Sequence, residues 1–317
     1  MRPVRTFAEA LGAGVLVLDG GLSNQLEAQG CDLSDALWSA RLLADGPEQI
    51  EAAHRAYVRA GARVLITSSY QATFEGFARR GTGRAEAARL LVRSVELARR
   101  AGEGATGEGE GAGAGAPGEV WVAASVGPYG AMLADGSEYR GRYGLSVGAL
   151  ERFHRPRIEV LAGAAPDVLA LETVPDVVEA EALLRAVEGC GVPVWLSYTV
   201  GGGRTRAGQD LAEAFAVAAG NDQVVAVGVN CCDPAEAGDA VELAVAVTGK
   251  PAVVYPNSGE RWDAGARDWR GDTAFDPARA VAWTGAGARL VGGCCRVGPT
   301  TIAALADALA GEGTDTG

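Results

Sequence analysis

Lysine and histidine are almost absent from this sequence of 317 residues. The single lysine is Lys250, and the only histidines are His54 and His154. A Schiff-base mechanism needs a lysine at the carboxyl end of a strand, whereas Lys250 precedes an apolar run and so falls at the opposite end. Both histidines lie within helical patterns, and we expect His54 to be a packing residue. The sequence contains no HExxH motif either, which excludes that class of zinc hydrolase.

Long apolar runs and an excess of positive charge are also missing. No run approaches the roughly 20 apolar residues that a membrane-spanning helix requires. A formal net charge of -12, from 28 basic and 40 acidic residues, argues against nucleic acid or an anionic membrane as the main partner. The apolar part of the N-terminus is short and is interrupted by Glu9, so no secretion signal is expected. We therefore expect a cytoplasmic protein whose thiols are reduced.

Eight short apolar runs are present, and amphipathic segments separate them. The runs are rich in Val and Leu and largely continuous, which is typical of parallel strands buried on both faces. They occupy residues 14–18, 63–67, 120–125, 167–172, 192–198, 223–229, 251–256 and 288–293. Helical patterns occupy residues 47–61, 84–102, 177–189 and 210–220. The alternation predicts a single-domain (β/α)8 TIM barrel over residues 1–317. An open doubly wound sheet is the alternative, although no GxGxxG motif follows the first run.

Three segments do not fit this alternation. Residues 103–118 are of low complexity, and we expect them to form a flexible acidic and Gly-rich loop before the third strand. Residues 201–208 are also Gly-rich and are predicted to be a mobile lid. The C-terminal residues 311–317 are expected to be frayed.

Four of the six cysteines form two adjacent pairs, Cys231–Cys232 and Cys294–Cys295. The pairs follow the sixth and eighth predicted strands, which are near neighbours around a barrel, so their thiols can converge at the carboxyl ends of the strands. Zinc prefers sulfur and takes four ligands, so three protein thiolates would leave one position open. The remaining cysteines, Cys31 and Cys190, are interpreted as incidental thiols.

Other interpretations of the paired cysteines stay open from the residues alone. They include a disulfide between Cys294 and Cys295, metal-free core thiols, and a structural zinc held by four thiolates. An open three-thiolate site is electron-rich, which suits a substrate thiol that loses its proton and stays nucleophilic. This interpretation predicts alkyl transfer to a thiol. Two other classes are a non-catalytic zinc or redox protein and a phosphate-binding barrel lyase or isomerase, in which Gly292 and Gly293 would cradle the phosphate.

Several longer motifs carry a resemblance to a known family. They include "LDGGLSNQLEAQG", "TSSYQATFEGFARRG", "ASVGPYGAMLADGSEYRG", "VGVNC", "VVYPNSGE" and "ARLVGGCCR". From about residue 14 to about residue 308, the sequence resembles the zinc-dependent homocysteine S-methyltransferases, which are relatives of betaine–homocysteine methyltransferase. The segments "SYQAT", "GPYGA" and "YPNSGE" favour the branch that uses S-methylmethionine as the methyl donor.

The resemblance implies a (β/α)8 barrel with one zinc ion per chain. The implied zinc ligands are Cys231, Cys294 and Cys295, with the homocysteine sulfur bound to the same ion. The implied substrate-binding residues are Asp19, Gly20, Ser69, Tyr70, Gln71, Glu172 and Asn230, and no catalytic residue is implied beyond the zinc site. Glu172 matches the acid that binds the amino group of homocysteine in the family, and Asp19 matches the family's acid at the first strand. Cys232 departs from the family pattern, and we expect it to face away because adjacent residues at a strand end point to opposite sides.

The predicted function is methyl transfer from a sulfonium donor, S-methylmethionine, to homocysteine, which gives methionine. The tyrosines Tyr70 and Tyr255 could attract the sulfonium by cation–π interaction. S-adenosylmethionine as donor and selenohomocysteine as acceptor are the alternatives within this chemistry. The expected partners are small-molecule substrates only, with no nucleic acid and no membrane.

Overall fold

Eight parallel strands form a ring in the computed structural model, which describes residues 3–34, 37, 39–104, 118–263 and 268–311. The strands are β1 (Leu16–Val17), β2 (Val64–Ile66), β3 (Trp121–Val126), β4 (Val168–Val174), β5 (Val194–Tyr198), β6 (Val224–Asn230), β7 (Ala252–Tyr255) and β8 (Ala288–Val291). They follow chain order around the ring, and β1 also pairs with β8. A parallel bridge between Leu18 and Val64 joins β1 to β2 and closes the barrel.

Helices surround this ring. They are α1 (Phe7–Ala13), α2 (Leu22–Ala28), α3 (Ser39–Asp45), α4 (Pro47–Arg59), α5 (Phe74–Arg79), α6 (Arg84–Gly104), α7 (Tyr129–Leu133), α8 (Val147–Gly163), α9 (Val177–Val187), α10 (Leu211–Ala216), α11 (Ala237–Thr248), α12 (Pro277–Gly285) and α13 (Pro299–Gly311). A 3-10 turn covers Ser137–Tyr139. None of the described helices is both long and apolar enough to cross a membrane.

The predicted barrel is confirmed, and each of the eight predicted runs contains or overlaps one strand. The predicted helices correspond to α4, α6, α9 and α10, of which α10 is shorter than its pattern. Most of the predicted loop at 103–118, namely residues 105–117, lies outside the described residues. So does the tail after Gly311. The bounds of the single domain stay a prediction.

The Gly-rich segment 201–208 forms a tight antiparallel hairpin in which Val200 pairs with Thr205. The Ala207 N–H donates to the Pro175 carbonyl at 2.9 Å, and the Arg142 side chain donates to the Ala207 carbonyl at 2.9 Å. These bonds attach the hairpin to the neighbouring loops after β3 and β4. Its motion as a lid stays a prediction.

The amino end of the barrel is closed by α1, which the sequence pattern did not predict. The helix begins with a capping box, in which Thr6 and Glu9 bond to each other's backbone N–H groups. It buries Phe7 and Leu11 among the apolar residues of the barrel interior, with the Phe7 ring 6.3 Å from the ring of Trp195. The lower interior is therefore an apolar core.

Along each strand, alternate side chains face the interior. In β4, Val168 and Ala170 belong to the interior cluster, whereas Leu169 and Leu171 belong to the cluster between strands and helices. The next inward position is Glu172. Polar side chains occupy the same level of the neighbouring strands, where Ser125, Ser197 and Asn230 are all buried. The carboxyl end of the interior is therefore polar.

Candidate metal and substrate site

Three cysteine sulfurs converge at the carboxyl end of the barrel. The Sγ atoms of Cys231, Cys294 and Cys295 all lie within 4.8 Å of one another. Cys231 follows β6, and the other two follow β8. The structure pairs Cys231 with Cys294 as a disulfide with Cα atoms 5.6 Å apart, while Cys295 is free. The three predicted ligands thus lie at one point, and their reduced thiols form a donor set suited to a soft metal ion.

The backbone around the sulfurs is shaped for this convergence. Cys231 has a φ of 48° and Arg296 a φ of 65°, so both lie in the left-handed region that non-glycine residues rarely adopt. A Cβ at Gly293 would collide with the Val297 side chain, and one at Gly292 would lie 2.5 Å from the Cβ of Leu18. Gly292 allows close packing against the end of β1, and Gly293 allows close packing against Val297. This accounts for the two glycines without a bound phosphate.

Asn257 ties the two cysteine pairs together. Its backbone N–H donates to the Cys232 carbonyl at 2.9 Å, and its side-chain oxygen accepts from the Cys295 N–H at 3.1 Å. The next residue, Ser258, donates its N–H to the Cys295 carbonyl at 3.0 Å. Sequence reasoning did not select Asn257 as a site residue, although it lies within the "YPNSGE" motif.

The other cysteines lie outside this group. Cys232 is fully buried in the apolar layer between strands and helices, as the alternation of side chains predicts. Burial raises the pKa of its thiol to about 12. Cys31 and Cys190 are half-buried beside the same layer. Burial also raises the pKa of the free Cys295 thiol, to about 11, and the charges of Glu138 and Glu172 add to the rise.

Glu172 lies at the centre of the polar interior. Its carboxylate accepts from the Tyr255 hydroxyl at 2.8 Å and from the Ser125 hydroxyl. Burial raises the pKa of Glu172 to about 7, and the two hydrogen bonds oppose that rise. The Tyr255 hydroxyl also contacts the Ser197 hydroxyl at 2.9 Å and accepts from the indole of Trp195 at 3.2 Å. Tyr255 is thus buried and holds the Glu172 carboxylate in position through its hydrogen bond.

Asn230 holds the backbone after Glu172. The Thr173 N–H donates to its side-chain oxygen at 2.7 Å, and its amide donates to the Thr173 hydroxyl at 2.7 Å. The same oxygen accepts from Ser197 at 2.8 Å. Thr173 has a φ of 57°, so the paired bonds hold a backbone conformation that is otherwise disfavoured. Asn230 therefore positions Glu172.

Asp19 is a second buried acid, at the end of β1. One carboxylate oxygen accepts from the Ile66 N–H at 2.9 Å, and the other has no hydrogen-bond partner. Burial raises the pKa of Asp19. The His54 ring lies 4.0 Å from this carboxylate, and burial lowers the pKa of His54 to about 4, so the ring is neutral. His54 was predicted to be a packing residue, and its contact with Asp19 was not predicted.

The predicted residues Ser69, Gln71 and Gly20 support the site through the backbone. The Ser69 hydroxyl donates to the Ser125 carbonyl at 2.7 Å, and the Gln71 amide donates to the Ala131 carbonyl at 3.1 Å. A Cβ at Gly20 would collide with the Val297 carbonyl, so this position requires glycine. These three residues position neighbouring loops.

Tyr70 belongs to a group that includes two residues the sequence reasoning missed. Burial raises the pKa of the Tyr70 hydroxyl, with further contributions from Tyr139 and Glu138 and an opposing hydrogen bond from Thr173. Glu138 and Tyr139 lie in the 3-10 turn after α7. That turn follows the "GPYGA" motif and reaches the rim above Cys295. The segment "DGSEYRG", in which Glu138 and Tyr139 are adjacent, is the signal in the sequence that could have identified them.

A separate buried cluster fixes the start of that loop. His154 contacts Glu179 at 2.9 Å, and Glu179 accepts from the Tyr129 N–H at 2.6 Å. Arg157 contacts His154 at 2.7 Å and donates to the Gly127 carbonyl. His154 is thus a structural residue outside the cysteine group. Lys250 is also remote, because its ammonium donates to the Asn221 carbonyl at the amino end of the barrel.

Comparison with known proteins agrees with this geometry. The sequence matches the homocysteine S-methyltransferase family over residues 16–309. It is 46% identical to the homocysteine S-methyltransferase of Escherichia coli over 296 residues, which make up 92% of this chain and 94% of that protein. The crystal structure of the homocysteine methyltransferase MmuM from Escherichia coli in its metallated form is similar, with a TM-score of 0.82, 44% identity and coverage of 93% of this chain and 96% of that one. The oxidized form of MmuM has a TM-score of 0.81 at 44% identity and covers 92% and 94% of the two chains.

Because both the sequence and the barrel match over nearly the whole length, the chain belongs to the homocysteine S-methyltransferase family.

Proposed function

We propose that this protein transfers a methyl group from a sulfonium donor, S-methylmethionine, to the sulfur of L-homocysteine, which gives two molecules of methionine. The observation that carries the proposal is the convergence of three cysteine sulfurs within 4.8 Å at the carboxyl end of the barrel. Membership of the family supports it. The thiols must be reduced for this function, which suits the cytoplasm.

Zinc is the metal that we propose for the three sulfurs. A hard cation such as Mg²⁺ would require oxygen ligands, whereas thiolates select zinc among the common divalent ions. Cys231, Cys294 and Cys295 would hold the ion, and reduction of the Cys231–Cys294 pair frees all three. Bound zinc would lower the pKa of the homocysteine thiol, so that it is nucleophilic at neutral pH.

The buried acids would bind the amino group of homocysteine. Asp19 and Glu172 lie at the carboxyl ends of β1 and β4, and burial raises the pKa of each. The charge of Glu172 also raises the pKa of Asp19. An ammonium group near both would relieve this repulsion and favour the ionised acids. Substrate binding would therefore provide a cation that the protein itself does not supply.

The methyl transfer needs positioning more than proton transfer. The homocysteine sulfur forms a bond to the methyl carbon as the bond from that carbon to the sulfonium sulfur breaks. The electron pair of the broken bond stays on the leaving sulfur, which becomes a neutral thioether. No proton moves in this step. Among the described residues, the two histidine rings are packed behind the strands, which agrees with a mechanism that needs no general base.

A methyl-transfer assay with metal analysis of the same sample tests the proposal. Reduced, zinc-loaded protein is incubated with homocysteine and, separately, S-methylmethionine, S-adenosylmethionine or betaine. We expect about one zinc per chain and the highest kcat/KM with S-methylmethionine. A higher value with S-adenosylmethionine would reverse the donor assignment. Zinc-loaded protein that forms no methionine from any donor would show that the proposed function is wrong.

A further inference from the structure

The buried acids of the described chain fall into two groups. Asp176 caps α9, and Glu179 contacts His154 at 2.9 Å with the charge of Arg157 nearby. The other three, Asp19, Glu138 and Glu172, have no lysine or arginine within ion-pair distance, and all three lie at the carboxyl end of the barrel. One carboxylate oxygen of Asp19 and one of Glu138 have no hydrogen-bond partner, whereas Glu172 accepts from two hydroxyls. Buried carboxylates without a cationic partner are costly, so the group indicates cationic ligands.

Both proposed reactants carry cationic groups. Homocysteine brings one ammonium group, and S-methylmethionine brings an ammonium and a sulfonium. Asp19 and Glu172 lie on strands inside the ring, where we propose that homocysteine binds. Glu138 lies on the loop after β3, outside that ring. It is the acid that the homocysteine assignment leaves unused.

Glu138 is held rigidly although it lies in a loop. Its turn begins after Gly136, which has a φ of 78°, and the Ser137 N–H donates to the Asp135 carboxylate at 3.0 Å. A Cβ at Gly130 would lie 2.4 Å from the Glu138 nitrogen, so only glycine allows α7 to pack this closely against the turn. Glu138 is 7% exposed, and its Oε2 atom is buried with no hydrogen-bond partner.

The charge of the Glu138 carboxylate acts on two neighbouring tyrosines. Burial is the main cause of the raised pKa of Tyr70 and of Tyr139, and Glu138 adds to each rise. Tyr139 is the adjacent residue, and its hydroxyl interacts directly with Cys295. Its residue is nevertheless 40% exposed. An aromatic ring that is open to solvent beside an unpaired carboxylate is the combination that attracts an organic cation.

Arg206 lies against Tyr139 at the same rim. Its guanidinium carbon lies 5.9 Å from the centre of the Tyr139 ring. Its Nε donates to the Thr199 hydroxyl at 3.5 Å, and that hydroxyl donates to the Cys231 carbonyl at 3.1 Å. No carboxylate lies within ion-pair distance of Arg206 in the described part of the chain. The guanidinium is therefore available to a carboxylate ligand.

We propose that Glu138 and Tyr139 bind the sulfonium group of the methyl donor, and that Arg206 binds the donor's carboxylate. This inference rests on the proposed function and assigns the donor side of that site. The sulfonium then lies between the acid and the aromatic ring, next to Cys295. Neutral thioethers gain little from this arrangement, so the product methionine leaves more readily than the donor.

Steady-state kinetics of Glu138→Gln tests the proposal, because glutamine keeps the shape and removes the charge. At saturating homocysteine, we expect the KM for S-methylmethionine to rise about tenfold or more. The KM for homocysteine should stay within about twofold of the wild-type value, with zinc content unchanged. Tyr139→Leu should raise the donor KM roughly three- to thirtyfold, whereas Tyr139→Phe, which keeps the ring, should have a smaller effect.

A cation without a carboxylate separates the two halves of the site. We expect trimethylsulfonium to inhibit competitively against the donor, and Glu138→Gln should weaken that inhibition about tenfold. Arg206→Gln should weaken S-methylmethionine binding and leave inhibition by trimethylsulfonium unchanged. Glu213→Gln removes an exposed charge on α10 and serves as the matched control, with both KM values unchanged.

Several outcomes would overturn the assignment. One is a Glu138→Gln variant that turns over with the wild-type donor KM. Another is a variant in which only the homocysteine KM rises, because Glu138 would then belong to the acceptor side. In both cases the wild-type enzyme still forms methionine, so the proposed function survives. A wild-type enzyme with no activity would instead contradict the proposed function itself.

Discussion

The two halves of the barrel interior are built from the same eight strands but have opposite character. At the amino end, α1 closes the ring and packs Phe7 among tryptophan, leucine and valine side chains. At the carboxyl end, the inward-facing residues at and just after the ends of these strands are acids, hydroxyls and thiols. The lower half has the composition of an ordinary apolar core. The upper half contains acids, hydroxyls and thiols, which a stable core does not require.

The character of the upper half is also visible in the backbone and in the hydrogen bonding. Left-handed backbone occurs at Thr173 near the end of β4, and at Cys231 and Arg296 in the loops that follow β6 and β8. Polar atoms without a partner include carboxylate oxygens of Asp19 and Glu138. Each such feature costs free energy that other parts of the structure must offset. The comparison indicates that the lower half provides stability and the upper half provides ligand binding.

Cys294→Ala should show the largest difference between an effect on function and an effect on stability. Removal of one of three thiols should abolish zinc binding and lower activity by about a thousandfold or more, since zinc is the proposed activator of the substrate thiol. The fold should persist, because the apolar core is untouched. Metal analysis, the methyl-transfer assay and circular dichroism of the same sample check this. Full turnover by metal-free protein would contradict the assignment of zinc binding and function to the upper half.

Phe7→Ala should lower stability and leave the KM values unchanged, which is the reverse of the effects expected for Cys294→Ala. The side chain is 2% exposed and contacts the floor of the barrel, so its removal should lower the free energy of unfolding by about 3 kcal/mol. The KM values should not change, because α1 lies at the end opposite the cysteines. Urea denaturation and kinetics measure the two effects separately. Phe7→Leu is the matched control and should lose only about 1 kcal/mol. A large rise in either KM would show that the halves are coupled.

Much of the fold was predictable from the sequence. The eight strands are short, apolar and regularly spaced, and burial on both faces gives them a strong pattern. Helix α1 was not predicted, because its seven residues are too few for a clear helical period and its apolar side chains resemble the start of a strand. Its function depends on contacts with Trp121 and Trp195, which are distant in sequence.

The candidate site was predictable where chemistry depends on residue type. Strand order brought Cys231 together with the second cysteine pair, and alternation predicted that Cys232 faces the apolar layer. Glu138 was missed because an acid in a loop resembles any solvated charge. Its burial results from the close approach of Gly130, which only the three-dimensional structure reveals.

Glu172→Gln should alter stability in a way that depends on pH. Burial raises the pKa of Glu172 to about 7 in the folded protein, above its ordinary value of 4.5. The folded state therefore holds the proton more tightly, and folding is penalised as pH rises from about 4.5 to about 7. Glutamine removes this penalty. The variant should therefore gain stability relative to the wild type as pH increases.

The expected gain is on the order of 2–3 kcal/mol between pH 5 and pH 8. Urea denaturation of reduced, metal-free wild type and variant at both pH values measures it. Over the same range, Glu213→Gln should show no comparable change, because that side chain is exposed. A constant difference between Glu172→Gln and wild type would mean that Glu172 ionises normally, and the upper half would then carry less electrostatic cost than its burial implies.

Cys232→Ala should have the smallest effect, and it tests the boundary between the interior and the outer layer. Cys232 is adjacent to Cys231 but lies fully buried among apolar side chains. Loss of its sulfur should leave a small cavity and lower the free energy of unfolding by about 1 kcal/mol. Zinc content and kcat/KM should equal the wild-type values, because burial raises the pKa of this thiol to about 12 and its sulfur lies outside the group of three. Loss of zinc in Cys232→Ala, with zinc retained in Cys231→Ala, would exchange the roles of the two cysteines.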